Sequence, residues 1–424
     1  MNQYVQPELA AQKIKIERFA KLIVMTLLIG LPLLSAFFNL VSWLKLGIDL
    51  PYLDDIRPYY TETAGSLRLR DLFTASNDTL YPLGMALDSI AFRLIGGNSI
   101  AYQAISMVVV IGGILACVWK LLVYCLKDKF LAAASFSTLL LMLQPDSYWG
   151  LQNMAYHQAL PILFILIATL IGTTAIDIRI KCALGALLSL ASGLAYISGA
   201  FAFLAFSLAM LARECVAVGR TRQGIALSVS MLIPSIMTSA LQGWVVVGIQ
   251  HGVHRADTKM AFPWETDFWV FILAKVARSL YLSDRFPVLA FAIAAMGLIF
   301  LCAIPLLSIY ISRRYGGHTS LARLASVSFP LFSSIIVYLC LVAAGRTNFH
   351  PASIDTAIQL FTFSFARFHF FWICAAWPFV IAYVLASLSS ANKVFPVAVV
   401  IVMAFISSAL FFGTEIKSHD SYYK

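Results

Sequence analysis

Charge is what this sequence has least of: Asp, Glu, Lys and Arg together make up 12% of its 424 residues. Water-soluble domains carry about a quarter charged residues, so most of this chain has no means of facing water. No long polar or low-complexity stretch supplies a separate soluble domain. The seven cysteines, Cys117, Cys125, Cys182, Cys215, Cys302, Cys340 and Cys374, form no CxxC pair. They lie in or beside apolar runs, which argues for packing and against a metal knuckle or a disulfide framework. Walker A, GxSxG, HExxH and GxGxxG are all missing, which leaves an ATP-driven or metal-protease reading without support. No internal repeat is evident, and inverted-repeat transporters usually show one.

What is abundant is apolar sequence: 61% hydrophobic residues and a mean hydropathy of +0.86. In lipid each spanning segment must bond its own backbone, so apolar runs of about 20 residues read as helices. The expected fold is an all-α polytopic membrane protein, a single integral membrane domain over residues 1–424, with about eleven spans. Residues 1–20 read as an amphipathic cytoplasmic segment carrying Lys13, Lys15 and Arg18. The first span, from Lys21 to Leu44, reads as an uncleaved anchor. Further spans fall near 101–126, 130–145, 158–176, 182–196, 198–212, 224–248, 286–311, 326–344, 371–388 and 395–413.

The short runs on either side of Ser192–Ser198 could form a hairpin or one long bent helix, and the choice reverses everything downstream. Charge favours the hairpin. With it, the cytoplasmic segments collect about fifteen Lys and Arg against about five acids, as the positive-inside bias requires. The basic set includes Lys127, Lys129, Arg179, Lys181, Arg213, Arg220, Arg222, Arg313, Arg314 and Arg323. This bias also accounts for the net charge of +10 without a nucleic-acid partner. The N-terminus is then cytoplasmic, the C-terminus periplasmic, and the main polar loops, 45–99, 249–285 and 345–370, lie outside. Two segments read as surface helices. One is Leu80–Ile95, with Leu80, Leu83, Leu87, Ile90 and Ile95 at helical spacing and Asp88 and Arg93 between them. The other is Trp264–Leu282.

The outer loops hold the candidates for chemistry. Asp54 and Asp55 lie about ten residues past the first span, with Arg57 beside them. Adjacent carboxylates diverge on a helix or strand, so one alone can face a given site. They serve either as one general base with a neighbour that binds substrate, or as a helix N-cap with a first-turn acid. Asn153 and His157 share a helical face at i, i+4, in a substrate-facing or an ordinary surface loop. Arg346 and Arg367 sit at the ends of late spans. There an arginine either snorkels to the interface or grips an anionic headgroup with its forked donors.

Taken together, these elements resemble the GT-C class of membrane glycosyltransferases, which draw sugar from a polyprenyl-phosphate carrier. The residues that carry the resemblance are Tyr52-Leu-Asp-Asp55, the segment with Asn77, Asp78 and Pro82, the loop with Asn153, Gly345-Arg346 and Arg367-Phe368. The family's second acid is often Glu and its late Arg is often followed by Tyr; here they are Asp55 and Phe368. In size the chain is similar to phage-type O-antigen glucosyltransferases that decorate lipopolysaccharide. The resemblance implies an inverting hexosyltransferase of the inner membrane. Its donor would be a polyprenyl-phosphate-linked sugar and its acceptor a lipid-linked or surface glycan, and it would use no cofactor or metal. Asp55 or Asp54 would be the base, and Arg57, Asp78, Asn153, His157, Arg346 and Arg367 would bind substrate or phosphate. The competing classes are a lipid-linked sugar flippase or other transporter, a membrane acyltransferase, for which His157, His350 and His369 are candidates, and an O-antigen polymerase.

Overall fold

The computed structural model describes residues 5–46, 72–73, 75, 79–140, 143, 159–216, 221–249, 259–283, 285–314, 319–365, 369–391 and 396–405. The protein is an all-α polytopic membrane protein. Among the described residues, eight helical stretches are long and apolar enough to cross a bilayer. Three shorter apolar helices, Lys129–Leu140, Leu160–Thr173 and Pro396–Phe405, accompany them.

The chain opens with α1 (Val5–Met25), which runs through a π-helical turn at Thr26–Gly30 into α2 (Leu31–Leu46). The amphipathic start and the first span are thus one continuous rod, and its apolar stretch, Ile14–Phe38, begins earlier than Lys21. Next come α3 (Pro82–Leu94), α4 (Ser99–Leu126), α5 (Lys129–Leu140) and α6 (Leu160–Thr173). Then follow α7 (Ile178–Ala195), α8 (Ile197–Val216) and α9 (Arg222–Trp244). The remainder is α10 (Thr266–Ser279), α11 (Pro287–Arg314), α12 (Ser320–Arg346), α13 (Ala357–Phe365), α14 (Phe371–Cys374), α15 (Trp377–Ala391) and α16 (Pro396–Phe405).

The boundaries follow local chemistry. Asn98, Asp177, Thr221 and Thr319 each cap a helix by accepting a first-turn backbone N–H through the side chain. Pro82 and Pro161 stand where a missing N–H costs nothing.

α12 is the hub, packing against α4, α8, α10, α11 and α15. Its inner face includes Leu324, Ala325, Leu331, Phe332, Ile335 and Leu339, all but sealed from the surroundings. α11 is peripheral and turns Val288, Ile299 and Leu306 outward, as a lipid-facing helix must. A second, smaller core joins the first rod to α5, α15 and α16 through Leu28, Phe130, Leu385 and Val400.

The Ser192–Ser198 ambiguity resolves as a hairpin. Ser192 Oγ donates to the Gly199 carbonyl at 3.1 Å. In an unbroken helix residues seven apart are separated by about 10.5 Å along the axis, so this contact requires a reversal. Tyr196 makes it, in an extended conformation between α7 and α8. A Cβ on Gly199 would overlap the Ser192 carbonyl, so glycine is what lets the two limbs close. α9 packs into the same group through a hydroxyl cluster. Ser189 and Ser235 are 2.9 Å apart, and Ser207 and Ser235 are 3.3 Å apart. Small polar residues bring helices together where lipid offers no hydrophobic drive.

Two expected surface helices prove to be packed elements. α3 exists, but Asp88 is buried and bonded to Tyr102, while Ile90 points outward. The packed face keeps Leu80, Leu83, Leu87 and Ile95 of the expected stripe and adds Asp88, because a partnered carboxylate can be buried. α10 is inserted among α11, α12 and α13, and its residues from Val270 to Ala277 are buried, Lys275 included. At 14 residues it is about 21 Å long, too short to cross a bilayer.

Charge separates the two ends of the bundle. Lys127, Arg179, Lys181, Arg213, Arg222, Arg313, Arg314 and Arg323 belong to one end. Its helix ends are tied by Arg323 Nε to the Cys125 carbonyl at 3.0 Å and by Arg213 to the Ser326 carbonyl at 2.8 Å. The other end carries Tyr81, Tyr196, Gln242 and Arg346.

Candidate functional site

At the tyrosine end the site is organised by Gln242, a primary amide within the apolar α9 and sealed from the surroundings. Its Nε2 donates to the carbonyls of Leu80 (2.6 Å) and Gly193 (3.0 Å). Its Oε1 accepts from Leu80 N at 3.0 Å and lies 3.5 Å from Thr79 Oγ1. Thr79 Oγ1 in turn accepts from Ile197 N at 2.9 Å. One side chain therefore holds the strand-like segment Thr79–Tyr81, where the first polar loop returns, against the α7–α8 turn. An amide carries an acceptor oxygen and, on a separate nitrogen, two donors, so it can pair with both backbone groups of Leu80 and still donate to Gly193, which the single donor of a hydroxyl cannot do.

Aromatic rings fill the space beside this clamp. Tyr81 is buried, with its ring centre 6.4 Å from that of Tyr196. Tyr338 of α12 is stacked on Trp372, with ring centres 4.1 Å apart and planes within 3°. The Tyr338 hydroxyl lies 3.5 Å from His369 Nδ1. Tyr196 and Arg346 are both within electrostatic reach of the Tyr338 hydroxyl. His369 is 5% exposed and has φ of 87°, an uncommon backbone state for a residue with a side chain. Such conformations cluster at functional sites, where the surroundings hold them in place.

Arg346 is the last residue of α12 and is half-buried. The segment around it is well tied. The Ala344 carbonyl accepts from Ala261 N at 2.9 Å, and Asn348 Nδ2 donates to the Lys259 carbonyl at 3.0 Å. Both bonds join the limb before α10 to the end of α12. Arg278 of α10 lies over the Phe370 ring at 5.3 Å, and Lys275 donates to the Ser364 carbonyl. Four cationic or titratable side chains, Arg278, Arg346, Lys275 and His369, thus stand on the elements α10, α12 and α13–α14 that meet here.

Of the residues singled out from sequence, Arg346, His350 and His369 fall among those described. Asp54, Asp55, Arg57, Asp78, Asn153, His157 and Arg367 lie outside the described residues. The described neighbours of the 366–368 segment, Phe365 and His369, are both buried. Among the described residues, no group of three or more His, Cys, Asp or Glu is placed to hold a metal ion.

Sequence reasoning passed over Gln242, Tyr81, Tyr196, Tyr338 and Trp372. Gln242 was open to detection as an amide inside an apolar span, a position polar groups occupy at a cost. Tyr338 and Trp372 carry no such signal, because aromatic residues are ordinary in membrane helices. No family model, curated protein or solved structure matches this chain.

Proposed function

We propose that the protein is an inverting glycosyltransferase that moves a hexose from a polyprenyl-phosphate carrier to a cell-surface glycan, such as O-antigen, on the outer face of the inner membrane. The observation that carries this reading is the Gln242 clamp. It fixes Thr79–Tyr81, the described end of the first polar loop, at the bundle end where α12 closes on Arg346 and where His369 meets Tyr338. A sugar phosphoester needs a base on one side and charge stabilisation on the other, roles that the carboxylates in the sequence of the first loop and the helix-end Arg346 would supply. The ring of Lys and Arg at the opposite end favours a cytoplasmic placement for that end, an N-terminus inside and a periplasmic C-terminus.

In this scheme Asp55 or Asp54 takes the proton from an acceptor hydroxyl as that oxygen attacks the anomeric carbon. The bond from the anomeric carbon to the phosphate oxygen breaks, and its electron pair leaves with the lipid phosphate. Arg346 and Arg367 stabilise the charge that builds there. A single displacement inverts the anomeric centre. Phosphate leaves without an acid, so the two-carboxylate scheme of glycosidases is not needed.

The test is an assay of purified protein with polyprenyl-phosphate hexose and a defined glycan acceptor, with product configuration read by NMR. Inverted product is expected, and at least one of Asp54→Asn and Asp55→Asn should abolish transfer while the protein stays in the membrane. Near-normal turnover in both variants overturns the mechanism. A flippase would move the lipid-linked sugar across vesicles and leave its phosphoester intact.

A further inference from the structure

The basic end of the bundle holds a cavity of about 220 Å³. It lies between the α6–α7 turn, the end of α8, the start of α9 and the near part of α12, and Thr173, Lys181, Arg213, Glu214, Gln223 and Ser326 help line it.

Charge in this cavity divides into a closed pair and an open group. Arg213 and Glu214 are ion-paired to each other. Arg213 also donates to the Ser326 carbonyl at 2.8 Å, and Glu214 accepts from the Thr221 hydroxyl at 3.4 Å. These bonds knit α8 to α12 and α9, and the pair contributes no net charge. Lys181 is different. Its ammonium donates to the Thr174 carbonyl at 2.6 Å and has no carboxylate within ion-pairing distance among the described residues. An ammonium has three donors, so two remain for an occupant.

The wall opposite begins α9. Thr221 caps it by accepting from Gly224 N at 3.0 Å, and the first turn carries the positive end of the helix dipole. The Glu214 carboxylate lies against Gly224 in that first turn and answers the helix start, so the Lys181 ammonium supplies the uncompensated positive charge of the cavity. At about 30 Å³ per water the cavity holds roughly seven waters, enough for a phosphate with a small ester substituent but less than a whole drug-sized ligand needs.

We propose that this cavity binds the phosphate of a phosphate ester, with Lys181 as its principal ligand. A cation is disfavoured because Glu214, the acid in the lining, is already held by Arg213. The phosphate could belong to an anionic lipid headgroup, drawn by the basic residues around this end, or to a soluble ester.

The experiment uses the full-length purified protein in detergent micelles. Its thermal unfolding midpoint is followed during titration with short-chain phosphatidylglycerol and with inorganic phosphate, with phosphatidylcholine as the reference for micelle effects. A ligand that binds only the folded state raises the midpoint by mass action. The apparent affinity should fall roughly tenfold in Lys181→Gln, which removes a charged hydrogen bond, and stay near the parent value in Lys181→Arg. Gln223→Glu puts a carboxylate on an exposed first-turn residue. It should weaken binding and leave folding intact, because an acid there suits the helix dipole. Lys181 dependence with phosphatidylglycerol alone assigns a lipid headgroup, and with inorganic phosphate a soluble ester. The proposal is overturned if no probe exceeds the phosphatidylcholine response, or if parent, Lys181→Gln and Gln223→Glu respond alike.

Discussion

Gln242 and Arg346 show how differently single residues matter here. Replacing Gln242 with Leu keeps the bulk but leaves both backbone groups of Leu80 and the Gly193 carbonyl without their partner. Hydrogen bonds inside membrane proteins contribute about 1 kcal/mol each, and a buried group left unpaired costs about 1–3 kcal/mol. Gln242→Leu should therefore destabilise the protein by roughly 2–4 kcal/mol and reduce sugar transfer further than the loss of folded protein explains. Thermal unfolding and specific activity, measured on the same preparation, check both halves. An unchanged midpoint would mean that the segment 79–81 holds its place without the clamp. Arg346 is half-buried at a helix end, so its removal should spare the fold. Arg346→Ala should lower the initial rate or the apparent donor affinity, and Arg346→Lys should fall between, since lysine keeps the charge but loses the fork. If both match the parent across donor concentrations, the arginine is an interfacial anchor.

Among the elements, the α7–α8 hairpin decides most, because the direction of every later helix follows from it. Charge counting in the sequence favoured this hairpin, and the Ser192–Gly199 contact agrees. α7 also presses Gly193 onto α9, where a Cβ would overlap the Thr238 side chain. Gly193→Ala should cost about 1–3 kcal/mol through overpacking. Thr238→Ala in the same chain should recover part of that loss, giving a clear coupling in a double-mutant cycle of unfolding. Additive effects would show that the two helices can ease apart. α3 and α10 were legible as helices from their spacing, but not as buried ones. Periodicity reports which residues share a face. It does not report that Tyr102 waits for Asp88, or that α11, α12 and α13 leave a slot for α10.

For the whole molecule, the separation of basic and tyrosine ends predicts the orientation. In a cysteine-free background, Asn348→Cys should react with a membrane-impermeant thiol reagent on intact spheroplasts, and Gln223→Cys only after permeabilisation. The reverse pattern would invert the protein and remove the proposed site from the outer face.

The spans and the charge asymmetry were readable in the sequence alone. Lipid imposes those constraints on each segment separately, through backbone satisfaction and the bias in Lys and Arg. The candidate acids of the first loop were also sequence findings and lie outside the described residues. Tertiary structure alone decided which polar groups meet. Gln242 with Leu80, Tyr338 with His369, and Lys181 beside the closed Arg213–Glu214 pair lie far apart in the chain or on different helices. A buried polar group is stable only where its partners converge, and convergence is a property of packed helices rather than of any one run of residues.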